Sequence, residues 1–306
     1  MNILITGASG FMGKALSERL AGQENKLVLL NSRSADLTKD TSLLKYNDLS
    51  YDLIFHLAAW TQAGDFCLYH QGEQWIINQQ INTNTLAWWQ QYQSQAKMVT
   101  FGTSVSYAVE NNLAEENYMA GIPNEKFYSY AMSKRMLYSG LISLNRQFGM
   151  KYLYLVPSTL YGPGYHTDGR QMHFIFDLIR KIIRGKEYGE KVELWGDGYQ
   201  RRELVYIDDF INTLLNLSAN TDNEIINIGA GEDYNIREFA SKICEITGYD
   251  FSSITFDTTK YVGAKSKCLS VNKLKSLLPA YKTSSLEQGL KKTIEWFYKE
   301  KVYDLA

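Results

Sequence analysis

Cysteine is scarce in this chain. Cys67, Cys244 and Cys268 are the three present among 306 residues, and no two stand at a C-x-x-C spacing. An odd, scattered set argues against a disulfide framework and against a cysteine-built zinc site, and it fits a reducing compartment. Proline is sparse too, at Pro123, Pro157, Pro163 and Pro279, so no proline-rich linker divides the sequence. Neither sign of charge is in excess, with 32 basic against 33 acidic residues and a net charge of -1. That leaves no broad positive field for nucleic acid, and an anionic ligand must be held by local lysines and arginines. No apolar run approaches the roughly 18 residues of a membrane span. A strand pattern begins at residue 2 and leaves no room for the charged start of a secretory signal. The expectation is a cytoplasmic protein that contacts neither nucleic acid nor membrane.

What the chain does have is order at its start. In M-N-I-L-I-T-G-A-S-G-F-M-G a short β-type run, Ile3 to Ile5, stops at Gly7, and Gly10 and Gly13 follow before helix-forming K-A-L-S-E-R-L. A strand, a tight turn and a helix start put unpaired N–H groups and a positive dipole end where a phosphate can bind. Glycine serves such a turn where backbone must approach a pyrophosphate and where helix packs on strand. Further short apolar runs at 26–30, 52–57, 97–102 and 151–156 alternate with helical stretches near 11–21, 73–94 and 126–148. Continuous apolar strands alternating with helices imply an α/β fold, a Rossmann-type doubly wound parallel sheet. After Tyr161-Gly162-Pro163-Gly164 the pattern loosens. Helices are expected near 171–185, 235–247, 271–277 and 285–300 and a strand near 192–195, while V-Y-I-D-D-F opens a helix and I-I-N-I-G reads as a strand. This divides the chain into a dinucleotide-binding domain, 1–160 plus 204–229, and a smaller C-terminal substrate-binding lobe, 161–203 plus 230–306.

The spacing G-x-x-G-x-x-G within I-T-G-A-S-G-F-M-G resembles the extended short-chain dehydrogenase/reductase superfamily. The resemblance implies cofactor contacts at Gly7, Ser9, Gly10, Phe11, Met12 and Gly13. His56-Leu57-Ala58-Ala59 is similar to the superfamily's H-L-A-A box, which implies that Leu57, Ala58 and Ala59 line the cofactor. Asn78 and Asn84 match its N-x(5)-N frame, and His56 itself reads as a packed strand-end residue. Nicotinamide choice turns on the second strand's end, L-V-L-L-N-S-R-S, where Arg33 appears and no carboxylate until Asp36. A basic residue there accommodates a 2′-phosphate, so NADPH is favoured over NADH. Asp36 and Leu37 would face the adenine edge, as the superfamily's D-L pair does.

Tyr130-Ala-Met-Ser-Lys134 lies in a helical stretch, so the phenol and the ammonium share a face. A lysine beside a phenol lowers its pKa and eases proton transfer. Tyr261 and Lys265 repeat the spacing, and position decides between the two. Tyr130 follows the fourth strand, where the superfamily carries its catalytic pair and where the same two residues border the cofactor. In F-G-T-S-V-S-Y, Thr103 stands four residues before Tyr107, as in the superfamily's S-S-x-x-Y element, and can hold the substrate oxygen that Tyr130 protonates. Ser104 and Ser106 are its rivals.

From residue 155 onward, L-V-P-S-T-L-Y-G-P-G, E-L-W-G-D-G-Y-Q-R-R-E-L-V-Y-I-D-D and I-N-I-G-A-G-E-D-Y-N-I-R-E resemble one branch, the GDP-L-fucose synthases. The likeness runs over essentially the whole chain. It implies Pro157 beside the cofactor, and Thr159, His173, Lys181 (with Arg180), Trp195, Arg202 and Lys267 toward a GDP-sugar; no metal is implied. An indole can stack on guanine, and basic groups can pair with a diphosphate. That branch epimerises at C3 and C5 with a cysteine and a histidine, then reduces at C4. The cysteine position, two residues after the catalytic hydroxyl, is Val105 here, and the asparagine of the family's P-x-N-L-Y-G is Thr159. The expectation is an NADPH-dependent C4-ketoreductase of a GDP-linked 4-keto sugar, a 6-deoxyhexose or heptose, without 3,5-epimerase activity. The alternatives are a bifunctional epimerase/reductase, a 4-epimerase with tightly bound NAD, and a non-catalytic dinucleotide sensor, which the Tyr/Lys pair argues against. Trp88, Trp89, Tyr128 and Tyr138 add large side chains to the helices that form the superfamily's dimer interface, so a homodimer is expected.

Overall fold

The computed structural model describes residues 1–110, 112–260 and 265–304. Strands β1 (Asn2–Thr6), β2 (Lys26–Leu30), β3 (Leu53–His56), β4 (Lys97–Phe101) and β5 (Tyr152–Pro157) alternate with helices α1 (Phe11–Ala21), α2 (Phe66–Tyr69), α3 (Gln71–Tyr92) and α4 (Tyr128–Phe148). Next come β6 (Thr159–Tyr161), α5 (Phe174–Tyr188), β7 (Glu193–Trp195), β8 (Arg201–Arg202), β9 (Leu204–Tyr206), α6 (Ile207–Asn220) and β10 (Glu224–Ile228). The chain ends with β11 (Tyr234–Asn235), α7 (Ile236–Thr247), β12 (Thr255–Asp257), α8 (Asn272–Leu277) and α9 (Leu286–Lys299).

The main sheet has the order β10-β5-β4-β3-β1-β2, and every pairing in it is parallel. Successive side chains point to opposite faces, so Leu4, Ile54 and Met98 meet α3 and α4 while Ile3, Ile5, Phe55 and Val99 meet α1 and α6. The register places Thr6 beside Leu30 and His56, and His56 beside Thr100. Gly7, the H-L-A-A segment and Thr103 therefore leave the sheet along one carboxyl edge, the edge where open α/β sheets bind ligands.

The lobe has its own apolar centre, built by Ile175, Phe176, Ile179 and Ile182 of α5 with Phe239 and Ile243 of α7 and Leu290 and Phe297 of α9. Helices α7 and α9 both start in capping boxes, Asn235 with Glu238 and Ser285 with Gln288. Each such cap contributes about 1 kcal/mol. Five stretches of chain cross between sheet and lobe, the last between α8 and α9, and Glu203 ties the first four together. Glu203 accepts the Gly231 N–H at 2.8 Å and the Leu269 N–H at 3.0 Å, and its carbonyl accepts the Ser158 hydroxyl at 3.1 Å.

Three expectations change. Of 204–229 only β10 joins the main sheet; β9 instead pairs in parallel with β6 at the crossing. Within 230–306, Val271 and Leu274 pack into the sheet-side cluster, because α8 lies against β10 rather than within the lobe. Trp88, Trp89 and Tyr138 are used inside the chain. The indoles of Trp88 and Trp89 donate to Asn47 Oδ1 at 2.6 Å and to the Ala96 carbonyl at 2.9 Å, and the Tyr138 ring lies 4.8 Å from that of Tyr154. Tyr128 is exposed, as are Ile76 on α3 and Met136 on α4. Among the described residues no helix is long and apolar enough to cross a membrane, and no cluster of His, Cys, Asp and Glu could hold a metal ion.

Candidate active site

Gly7 sits at φ +68°, and a Cβ there would lie 2.8 Å from the Ala58 nitrogen. A Cβ on Gly13 would overlap the Gly7 carbonyl and the Ala8 backbone. Both glycines are thus demanded by close packing of turn, helix and the H-L-A-A segment. Gly10 differs: it is exposed, and a Cβ would meet only the Gly7 carbonyl, at 3.3 Å. A side chain at Gly10 would fill the space above the turn. Helix α1 has neither a side-chain cap nor an acidic residue in its first turn, so its positive end is left for an anion. These features fit a dinucleotide pyrophosphate, held by the turn from Gly7 through Ser9 and Gly10 to Gly13.

Around that turn, Ala58 N–H donates to Thr6 Oγ1 at 3.2 Å, and His56 Nδ1 lies 2.9 Å from the same hydroxyl. Leu57 and Ala59 are half-buried beside it. Asn78 does not face outward. It accepts the Trp60 N–H at 2.9 Å and donates to the Trp60 carbonyl at 3.0 Å, so it shapes the loop behind the H-L-A-A segment. Met12 packs on the sheet side, whereas Phe11 meets the lobe, its ring edge-on to Tyr165 at 5.2 Å. At the end of β2, Arg33 is exposed, and Asp36 accepts the Thr38 hydroxyl at 2.6 Å. Leu37 is buried, and Pro157 closes β5 opposite Ile228.

Tyr130 and Lys134 share one face of α4, with the ammonium 5.8 Å from the centre of the phenol ring. Burial lowers the Lys134 pKa to about 8 and pushes that of Tyr130 up. Burial, followed by Cys67 and Tyr118, thus governs the phenol, and the lowering expected from the lysine does not offset it. His56, wholly enclosed, is lowered to about 4 by burial and then by Lys134, so it is a neutral packing group, hydrogen-bonded rather than charged. Thr103 follows β4 in extended conformation, and its hydroxyl accepts the Val105 N–H at 3.4 Å. Ser106 is buried and spends its hydroxyl on the Ala131 carbonyl at 3.2 Å, which removes it as a rival to Thr103.

Ser104 lines a narrow pocket together with Leu113, Ser158, Thr159, Arg202, Glu203, Lys267 and Leu269. Three residues expected at the substrate, Thr159, Arg202 and Lys267, are thus gathered beside the turn that carries Thr103. The Lys267 ammonium stands 5.1 Å over the Phe127 ring, and burial followed by Arg202 and Lys126 lowers its pKa to about 8. Converging cations of this kind suit a diphosphate. His173, at the start of α5, is open to solvent but walled by protein, and this crowding and then His166 lower its pKa. Lys181 and Arg180 both pair with Asp177, at 3.1 and 2.9 Å, and do not line the pocket. Trp195 ends β7 with its indole exposed. Tyr261 lies outside the described residues.

Some groups at the site left no motif in the sequence. Cys67 is buried and, after burial itself, opposes ionisation of Tyr130, whereas Thr61 favours it. Glu203 positions the Lys267 segment through Leu269. The one available signal was Gln74, Asn78 and Asn82 at i, i+4 and i+8, a polar stripe on a helix that turns out to be its buried side.

A parallel sheet with a glycine turn, a helix-borne Tyr/Lys pair and a strand-end hydroxyl defines a dinucleotide-dependent dehydrogenase/reductase class. The chain belongs to the NAD dependent epimerase/dehydratase family, whose model matches residues 3–229. It is 29% identical to a GDP-L-colitose synthase of Yersinia pseudotuberculosis over 99% of this chain and 100% of that one. It is 25% identical to a dTDP-4-dehydro-6-deoxy-D-allose reductase of a Streptomyces species, covering 96% and 95%. A solved GDP-mannoheptose C4 reductase of Campylobacter jejuni, with NADP bound, superposes with a TM-score of 0.84 at 25% identity, covering 97% of this chain and 98% of that one.

Proposed function

We propose that this protein is an NADPH-dependent reductase of the C4 keto group of a GDP-linked sugar, a 6-deoxyhexose or a heptose. One observation carries the reading: Ser104, Thr159, Arg202 and Lys267 line a single pocket next to Thr103. Bound NADPH supplies hydride. Gly7, Ser9, Gly10 and Gly13 hold its pyrophosphate, and Arg33 takes its 2′-phosphate. Thr103 orients the ketone, Tyr130 gives a proton to its oxygen, and Lys134 contacts the nicotinamide ribose and steadies the phenolate. Arg202 and Lys267 pair with the diphosphate, and Trp195 stacks on guanine. The relatives named for reduction of GDP- and dTDP-linked keto sugars support this assignment.

Val105 occupies the position of the epimerising cysteine, and an aliphatic side chain cannot take a proton from C3 or C5. His173 then serves as a contact for sugar hydroxyls. NADPH consumption against GDP- and dTDP-linked 4-keto sugars, with NMR of the product, tests the reading. Reduction at C4 without deuterium uptake at C3 or C5 is expected, and solvent deuterium appearing there would sink the reductase-only mechanism. Release of stoichiometric NAD on heating would favour a 4-epimerase instead. The exposed Ile76 and Met136 on α3 and α4 are assigned to a homodimer interface, to be checked by the mass in solution.

A further inference from the structure

Cations bordering the cleft are matched with acids: Lys181 and Arg180 share Asp177, and Lys126 pairs with Asp65 at 2.5 Å. Lys267 differs. Among the described residues it joins no ion pair, although Glu203 lines the same pocket. That carboxylate is committed to the Gly231 and Leu269 N–H groups, at 2.8 and 3.0 Å. What the Lys267 ammonium meets instead is the face of Phe127, 5.1 Å from the ring centre. An ammonium within about 6 Å of an aromatic centroid is attracted by the negative face of the ring, and more strongly where water is excluded. Lys126 stands 5.8 Å from the same ring but already has Asp65 as its partner.

The ring is held in place by its own turn. Phe127 N–H donates to the Asn124 carbonyl at 2.9 Å, and the Asn124 side chain accepts the Lys126 N–H at 3.0 Å. Helix α4 starts at the next residue, and Tyr130 lies three residues beyond Phe127. One short stretch of chain therefore carries both the ring that meets Lys267 and the phenol. An aromatic partner also differs from a carboxylate in what it leaves behind. A carboxylate cancels the ammonium and must be displaced by an anionic ligand, whereas a ring face stabilises the positive charge without neutralising it. The charged groups facing Lys267 are Arg202 of β8, Lys126 beside the ring, and Glu203 between β8 and β9. Burial and then the two cations work against its charge and bring its pKa to about 8.

We propose that Phe127 is a positioning residue for the nucleotide sugar: its ring holds the Lys267 ammonium at the pocket as an uncancelled positive charge for the diphosphate. A diphosphate entering the pocket then has no protein carboxylate to displace from Lys267. Phe127 acts only through that ammonium. The inference rests on Lys267 meeting the diphosphate in the proposed function.

The test replaces Phe127 with its monofluoro, difluoro and trifluoro ring analogues, because fluorine drains negative charge from the ring face at nearly constant shape. Two quantities are read: the Lys267 pKa in the ligand-free protein and GDP affinity by calorimetry. The first comes from titrating the Lys267 13Cε shift, identified by its loss in Lys267→Met. Each added fluorine is expected to lower that pKa, by about one unit in all for the trifluoro ring. GDP affinity should weaken about three- to tenfold at pH 8.5, where the charge is then lost, and change little at pH 6.5. In the Lys267→Met background fluorination should change nothing, because the ring works only through that ammonium. Phe127→Leu should match the trifluoro ring and Phe127→Tyr should keep wild-type binding, and this pair carries the comparison if a fluorinated protein folds poorly. A Lys267 pKa indifferent to fluorination, or an equal fluorine effect in Lys267→Met, overturns the inference. GDP binding by Lys267→Met as tight as wild type at pH 7.5 overturns the diphosphate assignment instead, and the pKa series still decides whether the ring holds the ammonium.

Discussion

Arg135 gives the Ser106 carbonyl two hydrogen bonds, from Nε at 3.0 Å and Nη2 at 2.6 Å, across the gap between α4 and the turn after β4. The same buried guanidinium bonds the carbonyls of Gly121 at 2.7 Å and Ala120 at 2.8 Å. The helix bearing Tyr130 and the turn bearing Thr103 are thereby one rigid piece. Arg135→Met leaves three carbonyls without this donor. It is expected to cost about 2–4 kcal/mol in urea melts and to lower kcat more than tenfold, with NADPH affinity nearly unchanged.

Lys134 is a buried cation and a stability liability at neutral pH. Its folded pKa is about 8 against 10.5 for the free side chain, so the unfolded chain binds the extra proton between those values. Stability from this group therefore rises with pH from about 8 to 10.5, and below pH 8 the full penalty applies, about 3 kcal/mol as an upper figure. Lys134→Met should be more stable than wild type at pH 7 by melting. The gap should shrink as pH rises toward 10, and turnover should be lost.

Lys267 predicts the pH dependence of nucleotide binding. With a pKa of about 8 in the ligand-free chain, it loses its charge above that pH, while a bound diphosphate favours the charged form. GDP affinity, measured by calorimetry, should fall by up to about tenfold between pH 7.5 and 9.5. Lys267→Met should bind GDP more weakly at pH 7.5 and show a flatter profile.

The two glycines of the turn separate folding from binding. Gly7→Ala must hold an alanine at φ +68° with its Cβ 2.8 Å from the Ala58 nitrogen, so a lower melting temperature is expected, by about 1–3 kcal/mol of stability. Gly10→Ala meets little protein, so its melting temperature should stay near wild type. NADPH binding, followed by its fluorescence, should weaken more than tenfold.

The sheet was readable because β1, β4 and β5 are buried on both faces and so appear as unbroken apolar runs, and the long helices α1 and α4 that come after β1 and β4 show their period. Elements of two to four residues, such as α2, β6 and β9, carry no period, and their pairing depends on where the chain crosses. Residues at the carboxyl edge, Gly7, Thr103 and Tyr130 among them, could be placed by counting from strands. Thr61 and Gln74 could not, because their hydrogen bond, at 3.1 Å, depends on the path of the 57–70 loop. The large aromatic residues misled for the same kind of reason: Trp88 and Trp89 look surplus on a helical wheel, yet each finds its N–H partner in a neighbouring loop.

The Glu203 knot has a mechanical meaning. Ser158, Gly231 and Leu269, from three other crossings, are fastened to this single residue, and strands pinned at one point cannot slide apart there. Glu203 is in that sense a rivet. Arg202 is next to Glu203 and Lys267 is two residues from Leu269, so both lie beside pinned positions. The two cations of the pocket are thus carried by the knot itself, whereas Trp195 stands apart from it on β7.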